Sequence, residues 1–370
     1  MTAGKSGITR AIATGLAAAL MVTASSRAGR AQAPGAAPAP APAMVLTSSA
    51  FPDGGAIPDK YTQAGEQVSP ALNWANAPAG TVSFVLHFHD LDVARNKTTD
   101  DQLHWLVWNI PASATGLPEG VKAGADLPDG SHQTSASGAM YRGPGAPATG
   151  PRHHYTFEII ALDTKLDVPA GQDAFETRTR VMQALQGHIL GKAVYAGLFR
   201  RPGSEPQGTA MVLTSTAFPD GGIIPDKHTQ AGDQISPALA WTNTPAGTAS
   251  FVVLVRDPDG STNRTTEDGL HWLVWNIPAT TTTLPEGMKQ GAELPDGTRQ
   301  TSYGGPGYHG PGARATGPRH HYTFEVFALD VKLDVPASGD FSAVRANVTK
   351  AMQGHVLGKA VTQGLFRRPS

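Results

Sequence analysis

The sequence predicts a mainly β protein made of two tandem antiparallel β-sandwich domains, each with one or two short helices near its C-terminus. One observation behind this prediction is a repeat, because residues 43–202 (copy one) recur as residues 210–369 (copy two) without insertion. The repeat is far longer than the units of solenoids and propellers, so each copy should hold its own core. The other is composition, since 42 glycines, 30 prolines and only 16% charged residues favour short strands joined by many turns.

The first residues have the pattern of a secretory signal peptide. Lys5 and Arg10 precede an apolar stretch at 11–22, and small residues follow it. An uncleaved N-terminal anchor is the alternative, but the stretch is shorter than the ~20 residues of a membrane span. We therefore predict a signal peptide over residues 1–33 and a periplasmic or secreted location.

Composition also divides the rest of the chain. Residues 34–43 are rich in proline and alanine and predict an extended linker. Residues 203–209 are mostly polar or small and predict a second linker, between the copies. The two predicted domains therefore cover residues 44–202 and 210–370.

Three long strands are predicted in each copy. Their segments are rich in β-branched and aromatic residues, and clusters of glycine and proline separate them. The segments are 81–89, 103–110 and 155–162 in copy one, and 248–256, 270–277 and 322–329 in copy two.

One helix is predicted near the end of each copy. Asp173 is placed to cap a helix, Glu176 lies three residues on, and Gly187 is a stop signal. Copy two repeats this pattern from Asp340 to Gly354 without the glutamate.

Charge and cysteine usage narrow the function classes. The net charge of −1 and the absence of long basic runs argue against nucleic acid or an anionic membrane surface as a partner. No stable membrane insertion is predicted. The chain has no cysteine, which excludes disulfides, thiolate nucleophiles and cysteine-ligated zinc. No cofactor is predicted.

Both copies retain a small set of polar residues where predicted strands begin or end. Strand ends of a sandwich meet at one edge, so we expect these groups to share a cavity. Imidazole, phenol and carboxylate groups suit one small phosphate-like anion, held weakly because the set includes no Arg or Lys. Glycines at 304–310 should also let backbone N–H groups approach the anion. The set is Asp90, His104, His153, His154 and Tyr155 in copy one, and Asp257, His271, His320, His321 and Tyr322 in copy two.

The order of four motifs in copy two adds a resemblance. This order of motifs resembles that of the phosphatidylethanolamine-binding protein family, specifically its bacterial Raf-kinase-inhibitor-like branch. The resemblance covers essentially all of each copy. The motifs are Asp257-Pro258-Asp259, a strand opening at His271, the loop Gly307–Pro311, and His320-His321-Tyr322 running to Ala328-Leu329-Asp330.

The resemblance implies a β-sandwich with a helix near its C-terminus and a ligand-binding or regulatory role. It also implies an anion pocket in each copy and adds one glycine to each polar set. The implied ligand-binding residues are Asp257, His271, Gly310, His320 and Tyr322, matched in copy one by Asp90, His104, Gly143, His153 and Tyr155.

Two departures from the family pattern carry expectations. His154 and His321 stand where the family usually has arginine, so we expect a salt bridge or phosphate contact to be lost. Copy one also changes the predicted pocket rim, which should loosen it. The replacements there are Leu91 for Pro258, Ser137 for Gly304 and Met140 for Gly307.

His87 and His89 raise the question of a metal site. Alternate strand residues share a face, so the two imidazoles should lie side by side. Copy two has Leu254 and Arg256 at these positions. A metal function of the fold should survive duplication, so no metal site is predicted here.

Several functions remain open from sequence. We expect each copy to bind a small anionic or phosphorylated ligand, with a protein as a possible further partner. The alternatives are an acid–base enzyme, a hydrolase or isomerase that uses the Asp and His residues, and an inhibitor of an envelope enzyme. A structural alternative also applies, since His271 and the pocket tyrosines are compatible with hydrogen-bonded core positions, and Asp257 with a turn.

Overall fold

The computed structural model describes Met1, residues 42–203 and residues 209–370. The predicted signal peptide and nearly all of both predicted linkers lie outside the described residues. Within the described parts of the chain, no helix is long and apolar enough to cross a membrane. The two copies belong to one compact unit, Ala41–Ser370.

The described part of copy one contains nine strands and one α-helix, with short 3₁₀ turns at Asp59–Tyr61 and Arg95–Lys97. In chain order they are β1 Val45–Thr47, β2 Gly55–Ala56, β3 Leu72–Ala75, β4 Ser83–Asp90, β5 Gln102–Pro111, β6 Gly116–Leu117, β7 His132–Thr134, β8 His153–Leu162, α1 Ala174–Ala184 and β9 Ile189–Phe199.

The described part of copy two repeats this order, with a 3₁₀ turn at Asp226–His228. Its elements are β10 Val212–Ser215, β11 Gly222–Ile223, β12 Leu239–Thr242, β13 Ser250–Asp257, β14 Gly269–Pro278, β15 Thr283–Leu284, β16 Arg299–Thr301, β17 His320–Leu329, α2 Phe341–Met352 and β18 Val356–Phe366.

Each copy pairs a three-stranded sheet with a six-stranded sheet. The small sheets have the orders β1-β3-β6 and β10-β12-β15, and the large sheets β2-β9-β8-β4-β5-β7 and β11-β18-β17-β13-β14-β16. The pairs β2–β9 and β11–β18 are parallel, and the other strand pairs of the described chain are antiparallel. The prediction of a mainly β chain with two sandwiches is confirmed.

The large sheet is buried on both faces, which explains why β4 is buried along its whole length. Successive side chains of a strand point to opposite faces. Phe84 and Leu86 pack in the core shared with the small sheet, together with Trp74. Val85 packs on the other face, in a second core with Val181 of the helix. The helix therefore covers a face that would otherwise meet water.

The predicted helix caps are confirmed. The Asp173 carboxylate accepts the N–H groups of Phe175 and Glu176 at 2.8 and 2.9 Å, which satisfies donors that the first helical turn cannot pair. Asp340 does the same in copy two, for Ser342 and Ala343.

The long last strand of each copy, β9 and β18, is absent from the sequence prediction. Glycines interrupt its hydrophobic pattern, and packing explains them. A Cβ on Gly191 would lie 2.7 Å from Pro78, and one on Gly197 would lie 2.5 Å from Ile57. The strand thus lacks side chains where neighbouring segments cross it.

Histidine–aspartate bridges join the two copies. His321 Nδ1 lies 2.9 Å from Asp259 of its own copy, and its Nε2 lies 3.0 Å from Asp53 of copy one. His154 makes the reciprocal contacts with Asp92 and Asp220, both at 2.9 Å. The expectation that a salt bridge is lost at these histidines is therefore wrong, because the shorter imidazole reaches a carboxylate on each side.

Candidate functional site

The structure brings the polar residues of copy two together in one cavity of about 450 Å³. It lies where β13 ends and where β14 and β17 begin, so three strand termini supply Asp257, His271, His320 and Tyr322. Leu270, Tyr303 and Phe341 add apolar surface, and Gln230, Thr262 and Arg314 add polar groups.

His320 is the cation at the centre of this site. Its Nδ1 lies 2.8 Å from Asp257 Oδ2, and the other oxygen of Asp257 accepts the N–H of Asp259 at 3.0 Å. Burial disfavours the imidazolium, but the hydrogen bond and charge of Asp257 outweigh it and raise the pKa of His320 to about 9. His320 is therefore charged at neutral pH.

His271 has the opposite character. Its Nδ1 lies 2.8 Å from the carbonyl oxygen of His309 and 3.1 Å from that of Gly310, so this nitrogen carries the hydrogen. Burial lowers the pKa of His271, and Asp257 offsets this only in part. The neutral ring keeps an unprotonated Nε2, which is a hydrogen-bond acceptor.

Tyr322 shapes the cavity wall. Its hydroxyl oxygen accepts the N–H groups of Gly312 and Ala313, each at 3.1 Å. Burial, followed by the charge of Asp257, raises the pKa of the phenol. The ring meets His271 edge-on at 5.0 Å and so fixes the orientation of the imidazole.

Gly310 lies behind His271 rather than on the cavity surface. A Cβ there would lie 2.6 Å from the carbonyl oxygen of His228 and 2.8 Å from the Cα of Thr229. The carbonyl of Gly310 accepts from His271 and from Gln230. The glycine is required for close packing, and the same holds at Gly143, where a Cβ would lie 2.6 Å from the carbonyl of Tyr61.

Three glycine amides of the glycine-rich loop are already paired and are not available to an anion, contrary to the expectation from sequence. Gly304 N–H donates to the hydroxyl of Ser302 at 3.1 Å, and Gly305 N–H donates to the backbone carbonyl of Ser302 at 3.1 Å. Gly307 N–H donates to the carbonyl of Gly305 at 3.0 Å. The loop is so tight that it pairs these donors internally.

Arg314 and Tyr303 are cavity residues that the sequence prediction missed. The expectation of a site without Arg or Lys is wrong for copy two. The hydroxyl of Tyr303 accepts from Gln230 at 2.7 Å, and its ring meets His271 edge-on. Copy one has Pro147 and Ala136 at these two positions. That difference was the available signal, but a search for residues common to both copies overlooks it.

Copy one keeps the central polar geometry. His153 Nδ1 lies 2.8 Å from Asp90, and this carboxylate raises the pKa of His153 to about 9 against the effect of burial. His104 Nδ1 lies 3.0 Å from the carbonyl of Arg142, and burial lowers its pKa. The hydroxyl of Tyr155 accepts two backbone N–H groups, as in copy two.

The acidic residues near the cavity of copy two are already paired, which bears on metal binding there. Asp257, Asp259 and His320 lie close enough together to hold an ion. Both oxygens of Asp257 accept hydrogen bonds, and those of Asp259 accept from His321 and from the N–H of Val194. This group needs no cation to complete it.

Comparison with known proteins gives one family for both copies. The family model for phosphatidylethanolamine-binding protein matches residues 47–200 and again residues 214–367. A UPF0098 protein of Methanothermobacter thermautotrophicus is 42% identical over 160 residues, which is 43% of this chain and 99% of the relative. The UPF0098 protein YbhB of Escherichia coli is 42% identical over 165 residues, 42% of this chain and 99% of the relative.

Similar solved structures include a putative phosphatidylethanolamine-binding protein homolog, CT736, from Chlamydia trachomatis. It is 30% identical, with a TM-score of 0.36, and the match covers 43% of this chain and 98% of that one. Escherichia coli YbcL, described as a new member of the mammalian family, is 29% identical with a TM-score of 0.35 over 42% and 98% of the two chains.

Proposed function

This chain belongs to the phosphatidylethanolamine-binding protein family, and we propose that it is an exported protein that binds a small anionic or phosphorylated ligand in each copy. The observation that carries the proposal is the pairing of a charged and a neutral histidine in one cavity, His320 with His271. His320 offers a cationic hydrogen-bond donor, and His271 offers a neutral hydrogen-bond acceptor.

A phosphomonoester in its monoanionic form matches both histidines. Its charged oxygen accepts from the His320 imidazolium, and its remaining hydroxyl donates to Nε2 of His271. Arg314, on the cavity wall, adds a second cation for the same anion in copy two. A fully ionised phosphate lacks the hydroxyl, and a neutral ligand lacks the charge.

The apolar part of the cavity supports a ligand with an organic substituent. Leu270, Tyr303 and Phe341 line one wall beside the polar residues. An organic group that covers this aromatic and aliphatic surface removes it from water, and this removal favours binding. A phosphomonoester with an organic substituent is therefore a better candidate than inorganic phosphate, and phosphoethanolamine is a small, soluble probe of this class.

Calorimetric titration of the full chain with phosphoethanolamine and with inorganic phosphate tests the proposal. His320→Gln removes a charge-assisted hydrogen bond, usually ~1.5–3 kcal/mol, so affinity at copy two should fall about tenfold or more. His153→Gln should do the same at copy one, and the double variant should bind both compounds about tenfold or more weakly at both sites.

His355→Gln is the matched control. His355 also pairs with an aspartate, Asp330, at 2.7 Å, but it is not among the residues that line the cavity. This variant should bind as the wild type does. Equal binding by the wild type and by the double variant His153→Gln/His320→Gln would refute the proposed site.

An acid–base enzyme is a second candidate, because a protonated and an unprotonated histidine in one cavity are the two groups that such chemistry needs. Turnover of a small phosphomonoester that disappears in His271→Ala, while the fold persists, would favour it. Binding without turnover favours the first proposal.

Export rests on the sequence pattern of residues 1–33. N-terminal sequencing of the mature protein from its native host should give a start between residues 23 and 43. A cytosolic protein that still carries Met1 would overturn this part of the proposal.

A further inference from the structure

Away from both pockets, we propose that copy one binds a divalent transition-metal ion through His87, His89 and Asp101. The two histidines alternate on β4, and Asp101 immediately precedes β5. Each residue offers one ligand atom, and these atoms all lie within 4.8 Å of one another. The imidazole rings stack with their centroids 4.1 Å apart.

The unpaired nitrogens of these histidines are the first observation that points to an ion. Nε2 of His87 and Nε2 of His89 are buried, and neither has a hydrogen-bond partner among the described residues. His87 is 8% exposed and His89 is 4% exposed. Glu158 Oε1 lies 3.5 Å from Nε2 of His89, too far for a good hydrogen bond. An unpaired buried polar group costs ~1–3 kcal/mol, and a bound metal ion would satisfy both.

The second observation is the corresponding place in copy two, where a fixed cation is present. Arg256 replaces His89, and its guanidinium donates to Asp268 and Glu325. The structure thus surrounds one positive group with two carboxylates.

Copy one keeps both carboxylates, as Asp101 and Glu158, but lacks the guanidinium. A metal ion would supply the positive charge that Arg256 supplies in copy two. The argument that a metal function should survive duplication therefore does not apply, because copy two carries its own cation.

Neighbouring cations hold the two carboxylates in place. Arg178 donates to Oδ1 of Asp101 at 2.7 Å, and Lys192 lies 3.1 Å from Oε2 of Glu158. Such outer partners orient ligands and leave the other oxygen of each carboxylate for the histidine side. Oδ2 of Asp101 is in contact with Nδ1 of His89.

The chemistry of the three groups selects the class of ion. Imidazole and carboxylate together suit Zn²⁺, Cu²⁺ and Ni²⁺ better than Ca²⁺ or Mg²⁺. A cavity of about 380 Å³, lined by His87 and Asp101 among others, provides a route for the ion.

The competing account is that the contact between Nδ1 of His89 and Asp101 fills this place without an ion. It predicts no metal binding.

The test is a titration of the full chain, stripped of metal with a chelator, with Zn²⁺ by calorimetry and with Cu²⁺ by electron paramagnetic resonance. We expect one strong site per chain, with nitrogen hyperfine structure from two imidazoles. The double variant His87→Leu/His89→Arg carries the residues of copy two, Leu254 and Arg256, and so should fold. Loss of an outer-shell partner alone typically costs roughly 10–100-fold in metal affinity, so loss of both histidine ligands should weaken binding at least about 100-fold.

A second variant separates this site from the pockets. His153→Gln/His320→Gln removes a histidine from each of the two other groups of potential metal ligands found among the described residues. It should bind metal as the wild type does. The proposal is overturned if the wild type does not bind either ion, or if His87→Leu/His89→Arg binds with unchanged affinity.

Discussion

At the scale of single residues, the pocket depends on two histidines held in different protonation states. The contrast arises from what faces each Nδ1, which is a carboxylate for His320 and backbone carbonyls for His271. A carboxylate stabilises the imidazolium, whereas a carbonyl in a buried place fixes a neutral tautomer. The same contrast recurs at His153 and His104.

One prediction at this scale compares the two buried histidines. His271→Ala should lower the affinity for phosphoethanolamine more than His104→Ala does, because Arg314 and Tyr303 make the site of copy two the stronger contributor. We expect about a tenfold loss at copy two, or ~1.4 kcal/mol, measured by calorimetry of the full chain.

Neither alanine variant should unfold the chain, and circular dichroism provides that control. An equal loss of affinity in both variants would contradict the asymmetry between the copies.

The pocket residues differ in how far sequence could predict them. Asp257, His271 and His320 were predicted because both copies keep them at strand ends. Arg314 was not, because its position depends on how a loop folds back over the cavity, and copy one has Pro147 there. Strand periodicity contains no information on such a path.

At the scale of elements, the end of β13 and the turn that follows it serve two sites. Asp257 faces the pocket, and two residues later Asp259 accepts from His321 and from Val194 of copy one. The HH pair that opens β17 divides in the same way, since His320 faces the pocket and His321 faces the other copy. One turn and one strand end therefore connect the pocket to the contact between the copies.

The bridging histidines predict a pH dependence of stability. Burial opposes their charge, but aspartates on both sides raise the pKa of His154 and of His321 to about 10. An unfolded histidine titrates near ~6.5, so this stabilisation is complete below that pH and is lost as the pH rises towards 10.

Denaturant titrations between pH 7 and 10 check this prediction with His154→Gln/His321→Gln. The wild type should lose more free energy of unfolding over that range than the variant, which should already be less stable at pH 7 by about 1–3 kcal/mol. The histidines at 89, 153 and 320 titrate in both proteins, so the difference between the two slopes isolates the bridges. Parallel slopes would contradict the account.

Sequence predicted the elements unevenly for a physical reason. Segments with continuous β-branched and aromatic residues, such as 155–162, were recognised because both faces of their sheet are buried. The strand Ile189–Phe199 was missed because Gly191 and Gly197 replace side chains at the places where other segments cross it.

At the scale of the whole molecule, the duplication has allowed the copies to diverge while their strands stay alike. Copy two has Arg314 and an aromatic wall at its pocket, where copy one has Pro147 and alanines. Copy one instead has the pair His87 and His89, where copy two has Arg256 and a leucine. The differences concern charge and ligand groups rather than the fold.

One prediction at this scale concerns copy two alone. Residues 210–370 contain a complete pair of sheets with their own cores, so this half should unfold cooperatively by itself. It should melt at a lower temperature than the full chain, since His321 loses Asp53 as its partner. Calorimetry would decide, and the absence of a cooperative transition would refute independent folding.

The most direct test of the central claim is an NMR titration of the full chain with phosphoethanolamine, which follows the ring signals of His320 and His153. Their assignment uses the corresponding His→Gln variants. We expect both signals to shift and saturate, with His320 saturating at roughly tenfold lower ligand concentration, a difference of ~1.4 kcal/mol. Shifts at neither histidine, or saturation of His153 at the lower concentration, would contradict the account.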